Sequence, residues 1–563
     1  MPNPDRLLSA SRTRLLGAVA LLGAVAAVGL AMAATPRTGA PSPAANEKTP
    51  GAQGVIAGQV PAQNAQAQRA PVRTSAAPVK DQALLNALDR WYSAGQGGTL
   101  PALREFDNEY GKLGIINAAG AIDTKGHPFF EPLGANGRGC VTCHQPAYGM
   151  SVSAESLQHR WKDTNGKDPV FAMVDGANCP GLPAAERASH SLLLDRGLFR
   201  VFLPWPPKNA EGGALKPEFD IEVVRDPAGC NTHPVYGIKS ANPTISVYRR
   251  PRPAANLKYV TASNGQALFI GKNGMPASID PETGRSTSMN FMADARQPTL
   301  KTQAVDAALN HGQAGAIPSA DALKKIVDFE MQVYSGQRRD RWGGRLVDAK
   351  GYPHAVGTEN LRDGRTGVLG DNFTTPVFLF FDEWKKAPDA KLDPKAAFRA
   401  SVARGADVFF TRPFWITGAM HINTVGLGSP TKRTCATCHN MHMTAMDLSA
   451  GWMDLGTTNA PWANESPELP LFKVTCHADV PPHPFLGRVI YTQDPGRALI
   501  SGKCDDVGAI VMEQFRGLSA RAPYFSNGSA KNLREIVDFY DRRFNIRYSE
   551  QEKQDLINFL SVL

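Results

Sequence analysis

Two five-residue segments set the terms on which this chain can fold: Cys140-Val141-Thr142-Cys143-His144 and Cys435-Ala436-Thr437-Cys438-His439. In each, two thiols separated by two residues are followed at once by an imidazole. That spacing suits covalent attachment of a c-type haem, whose vinyl groups take the thiols and whose iron takes the histidine on one axial side. Cys140, Cys143, Cys435 and Cys438 are therefore read as attachment sites, and His144 and His439 as proximal ligands, for two covalently bound haems. A redox dithiol or a zinc site is the competing reading, but a thioredoxin-like site would lack the paired arrangement. Any fold must bring each segment onto one turn beneath a porphyrin.

Haem attachment of this kind belongs outside the cytoplasm, and the N-terminus agrees. Arg6, Arg12 and Arg14 precede an apolar stretch from Leu15 to about Ala33, and Ala31-Met32-Ala33 offers the small residues a signal peptidase needs. Residues 1–34 are thus expected to be a signal peptide, or a signal anchor tethering the chain to the inner membrane, with the mature protein in the periplasm. Four further cysteines, Cys179, Cys230, Cys476 and Cys504, suit an oxidising compartment. Three pairings are possible, of which Cys179–Cys230 with Cys476–Cys504 is the most local. The net charge of +9 comes without a dense basic run carrying interleaved aromatics, so nucleic acid is not an expected partner; the charge could aid docking to an acidic protein.

The chain's 563 residues exceed one ordinary core, so two or three domains are expected. Residues 35–80 are rich in Ala, Pro and Gln and read as a disordered linker. Apolar residues at helical spacing begin with Leu84, Leu85, Leu88, Trp91 and Tyr92. An N-terminal haem domain is expected over 81–390. Within it, 181–352 looks irregular, with β-like runs such as Phe219–Val224, and a helix over Ala320–Tyr334 carries the stripe Leu323, Ile326, Val327, Phe329 and Val333. A C-terminal haem domain, 391–563, starts with Phe398, Val402, Val408 and Phe409 and ends in a helix opened by a Ser549/Glu552 capping box. The expected fold is mainly α: two tandem cytochrome-c-like haem domains with long irregular insertions.

The segment Ala522-Pro523-Tyr524-Phe525-Ser526-Asn527-Gly528-Ser529, followed by Asn532 to Tyr540, resembles the bacterial di-haem cytochrome c peroxidase superfamily, which includes a quinone-cofactor maturation enzyme and, distantly, a di-haem rubber oxygenase. The resemblance implies that the C-terminal haem takes electrons from a carrier and the N-terminal haem does the chemistry. It implies that His159, in a loop-like Ser156-Leu157-Gln158-His159-Arg160-Trp161, caps the first iron at rest. The run Phe291-Met292-Ala293-Asp294-Ala295-Arg296 resembles the family's Trp-Asp-Gly-Arg segment, with Ala293 in place of the tryptophan between the haems and Gln303 in register. Gln313 stands where the family has its acid–base glutamate, and a glutamine cannot shuttle a proton. His311 is a candidate substitute, or a structural histidine. Tyr540 falls at the position of the second iron's sixth ligand, with Met512, Met441 and Met446 as rivals or a plain core role as the alternative. Asn242 and the carbonyls of Arg521 and Pro523 match the family's interdomain calcium site; otherwise Asn242 caps a turn before Pro243.

Three functions follow as expectations. The first is reduction of hydrogen peroxide with electrons from a small cytochrome c or copper protein. The second is oxidation of an organic molecule in a pocket built by the insert, with Phe199, Phe202 and Trp205 as lining candidates. The third is a non-enzymatic di-haem electron carrier.

Overall fold

In the computed structural model, the described residues are 90–209, 212–262, 269–270, 276–277, 291–346, 356–363, 381–385, 393–424, 426, 428–439 and 452–563. The expected signal segment and linker, and the rival ligands Met441 and Met446, lie outside them. Among the described residues no helix is long and apolar enough to cross a membrane.

The first half carries β1 (Leu103–Asn108), β2 (Gly111–Asn117), α1 (Ala154–Thr164), β3 (Phe199–Pro204), β4 (Phe219–Arg225), β5 (Thr244–Arg249), α2 (Leu257–Ala262), α3 (Leu300–Asn310), α4 (Ala320–Gln332), β6 (Val333–Asp340) and β7 (Gly344–Arg345). The second half carries α5 (Pro394–Thr411), β8 (Phe414–Ile416), β9 (Thr431–Arg433), β10 (Leu471–Cys476), β11 (Val489–Thr492), α6 (Leu533–Phe544) and α7 (Glu550–Ser561). With 31% helical and 21% strand residues, the fold is mixed α/β, which corrects the mainly α expectation.

The cause is visible strand by strand. The 111–117 run, with Leu113, Ile115 and Ile116 buried, forms one of the two inner strands of a four-stranded antiparallel sheet in the order β7-β6-β2-β1. Helix α4 gives way directly to β6, because Val333 and Tyr334 pair with Asn117 and Ile116 instead of completing another turn. In β4, Phe219 is buried while Asp220, Glu222 and Val224 face solvent, the period of a half-buried strand. Its partner is not local. β4 pairs with β10, with Phe219 opposite Cys476 and Val223 opposite Phe472, and β11 completes the sheet. Strand pairing therefore crosses the junction that the sequence places near residue 390.

Two apolar cores support the two thiol–imidazole segments. Val141 packs with Phe129, Leu323, Ile326 and Phe329, whereas Cys438 packs with Phe398, Val402, Phe409, Val537 and Leu560. The terminal helix opens as expected, with Ser549 accepting from the Glu552 amide in a capping box. Cys179–Cys230 and Cys476–Cys504 are disulfide-bonded, with Cα atoms 5.3 and 5.8 Å apart.

One buried ionic cluster joins β5 to both halves. Arg249 forks onto Asp494, at 2.6 and 2.9 Å, and reaches Asp294 at 2.5 Å. Asp294 is also bound by Arg296, which continues to Asp306. Burial alone would push the Asp294 carboxyl up; the two guanidiniums outweigh it and hold the group well below the usual carboxylate range. Removing one charge strands the others. Asp494→Asn is expected to cost about 3–5 kcal/mol of stability, read as a fall in denaturation midpoint at neutral pH.

Candidate haem-binding site

Each thiol–imidazole segment is a single 3-10 turn, Cys140–Thr142 and Cys435–Thr437, and the two are built alike. The threonine at the third helical position accepts from the backbone N–H just before the turn, Gly139 to Thr142 Oγ1 at 3.1 Å and Thr434 to Thr437 Oγ1 at 3.4 Å. The histidine amide then closes on the first cysteine's carbonyl, at 3.1 Å in both. None of these four cysteines is in a disulfide. Burial pushes the thiols of Cys140, Cys143 and Cys435 up, Cys143 to about 12 and Cys435 to about 11, so these three are protonated at neutral pH. A dithiol redox site needs the opposite shift.

His144 Nδ1 lies 3.0 Å from the Met150 carbonyl oxygen. A carbonyl only accepts, so Nδ1 carries the hydrogen and Nε2 keeps its lone pair, as an iron ligand requires. Burial also holds His144 below its ordinary pKa, in the neutral form. His439 is buried and packs against the Phe515 ring at 4.1 Å.

Each histidine opens onto a cavity. The first, about 190 Å³, is lined by Cys140, Cys143 and His144 from the turn, and by apolar residues including Phe199, Leu257 and Phe291. The second, about 120 Å³, is lined by His439, Met512 and Tyr540. The chain's residues thus fit two covalently held haems: paired thiols, an imidazole next to them, and a chamber beside each. The chambers share a wall, since Arg250, Pro251, Arg252, Ala293, Glu513 and Gln514 line both. Ala293, at the resemblance's bridging-tryptophan position, is part of that wall.

The other expected residues divide. His311 lines the first cavity, and its Nδ1 meets Asp175 Oδ2 at 2.5 Å. Asp175 is also bound by Arg138, which holds the carbonyls of Pro169 and Val170 at 2.7 Å each. Burial would raise the Asp175 carboxyl, but Arg138 and His311 outweigh it and keep it low. Ionised Asp175 therefore fixes the hydrogen of His311 on Nδ1. Gln313 is not brought into the cavity. It follows the end of α3 in a left-handed conformation, φ 51°, and its side chain is exposed.

His159 is not in a loop either. It lies on α1, which Ser153 caps, and its Nε2 is 3.8 Å from Glu155 one turn earlier. Helical pairing carries it to a partly exposed face, and it does not line either cavity. Tyr540 and Met512 both line the second cavity; burial pushes the Tyr540 phenol well above its ordinary pKa. Of the insert's aromatics, Phe199 lines the first cavity, whereas Phe202 stacks under Arg200 and Trp205 packs on Phe219.

The calcium donors do not converge. Asn242 is exposed just before β5, and the wall begins after β5 ends, so the strand separates them by about 20 Å. The Arg521 carbonyl is already taken by a cation of the chain. Arg250 Nη2 donates to it at 2.8 Å and to Val152 O at 2.6 Å, while Nη1 donates to Arg196 O at 3.0 Å. Asn242, Arg521 and Pro523 thus do not fit a common calcium site.

Sequence reasoning also passed over Glu330, which lines the first cavity and is 4% exposed. Its signal was readable: an acid four residues past Ile326, on the apolar face of α4.

Chelators are expected to leave the melting temperature and visible spectrum unchanged. Arg250→Ala, by contrast, should lower stability by about 3 kcal/mol in denaturant titration, since three carbonyls lose a charged donor.

No known family model matches the chain, and no curated protein matches it.

Proposed function

We propose that the chain is an exported di-haem c-type oxidoreductase, with its reaction chamber at His144 and its electron-exchange site at His439. The reading of the first chamber as an organic-substrate site is carried by its lining. Phe199, Val201, Leu257, Val260 and Phe291 line this chamber and suit an apolar substrate. When bound, the haem supplies redox-active iron; the protein supplies its ligation, orientation and surroundings.

Ala293 leaves the wall between the chambers without an aromatic side chain. Phe199 and Val201 give the chamber apolar walls, and His311, held through Nδ1 by Asp175, would leave Nε2 as a proton acceptor. That fixed histidine also favours the second reading, peroxide reduction fed by a small cytochrome c or copper protein. It supplies a base where Gln313 cannot.

The half-reduced protein separates these readings. An oxygenase or oxidase should consume oxygen with an apolar substrate and turn over peroxide poorly; rapid peroxide turnover with a reduced carrier protein supports the peroxidase. Purely low-spin iron by electron paramagnetic resonance, with no response to peroxide or oxygen, leaves only an electron carrier and sinks both enzyme readings. Tyr540, in the second cavity's wall, would hold that chamber's iron together with His439. Tyr540→Phe should raise that haem's potential, because an anionic oxygen donor favours ferric iron, while Met512→Leu should not.

A further inference from the structure

We propose that Glu330 is the proton-holding residue of the first chamber, taking up a proton as the haem held by Cys140 and Cys143 is reduced and releasing it on oxidation. The inference rests on the reading of that chamber as a haem site.

Glu330 sits on the last turn of α4, in the same cavity wall as Cys140, Cys143 and His144. Its Oε2 is buried and has no hydrogen-bond partner. The rest of that helix face is apolar, with Leu323, Ile326 and Phe329 in the core around Val141. A carboxylate left unpaired there is costly, so the group is a neutral acid unless a positive charge faces it, and ferric iron in the chamber would be the charge that ionises it.

Burial is the sole cause of a shift to about 8. Among the described residues, α2, α3, β2 and the turn that carries His127 pack on α4. They carry Lys258 and Tyr259, Lys301 and Asp306, and Lys112, and none of these moves Glu330. Across the cavity, Arg252 and Glu513 face each other at 3.7 Å, and His311 is tied to Asp175. The one thiol that Glu330 influences is Cys140, which it helps to push up. Among the described residues, therefore, no neighbouring charge shifts this carboxyl.

The balance is simple. One electron from an external reductant, or from the haem at His439, converts ferric to ferrous iron. For it, the Glu330 carboxylate gains one proton from solvent, forming one O–H bond. Loss of positive charge on the iron raises the carboxyl's proton affinity. The chamber thus has the proton capacity that Gln313 lacks.

The test is a spectroelectrochemical titration of both haems in the holoprotein, wild type against Glu330→Gln. As pH rises from neutral through about 8, the first haem's potential should fall by up to about 59 mV per pH unit. In the amide variant that slope should vanish, with the second haem unchanged. A flat wild-type potential, or an equal slope in the variant, would falsify the assignment. Should the variant not fold, wild type alone decides: the reduced-minus-oxidised infrared spectrum must gain a deuterium-sensitive carboxylic acid band, and its absence overturns the proposal. Fewer than two haems in a pyridine haemochrome assay would instead overturn the functional reading beneath it.

Discussion

Arg249 is the residue on which the two chambers depend. Its guanidinium is shared between Asp294 and Asp494, so one cation binds a segment of the first half to a segment of the second. The next three residues, Arg250 to Arg252, form the wall common to both cavities. Arg250 then gathers carbonyls from Val152, Arg196 and Arg521. Two consecutive arginines thus work differently. The first is neutralised by carboxylates, and the second spends its charge on backbone dipoles, which cost less to bury than another ion.

The two thiol–imidazole turns share a local design, and their surroundings make them unequal. The first faces the larger chamber, with a carboxylate-locked histidine and an unpartnered acid. The second faces an aromatic and thioether lining, with Phe515 against its histidine and Tyr540 and Met512 in the wall. Proton-handling groups gather on one side and candidate sixth ligands on the other, which is the division of labour the proposed function uses.

What was legible in the sequence was local. The Cys-x-x-Cys-His turns, the Ser549 cap and the disulfide pairs depend on neighbours in the chain or on compartment chemistry. The strands were harder to see. The 219–224 alternation was readable, but its pairing with Leu471–Cys476 is a long-range contact that no local pattern encodes, and without it the fold looks mainly helical. Position-by-position transfer failed where the backbone turns. His159 moved onto a helix face, Gln313 rotated outward past the end of α3, and Asn242 was left a strand's length from its supposed partners. Glu330 shows the reverse: its residue type conflicts with its place in the apolar stripe, and such conflicts mark sites.

The sheet that joins β4 to β10 also orders events in the life of the chain. Synthesis runs from the N-terminus, so Phe219–Arg225 has no strand partner until Leu471–Cys476 has been made. Both thiol pairs precede that strand. The shared wall's last lining segment, around Glu513 and Gln514, is later still. Each Cys-x-x-Cys-His turn is therefore synthesised before the segments that complete the walls around it.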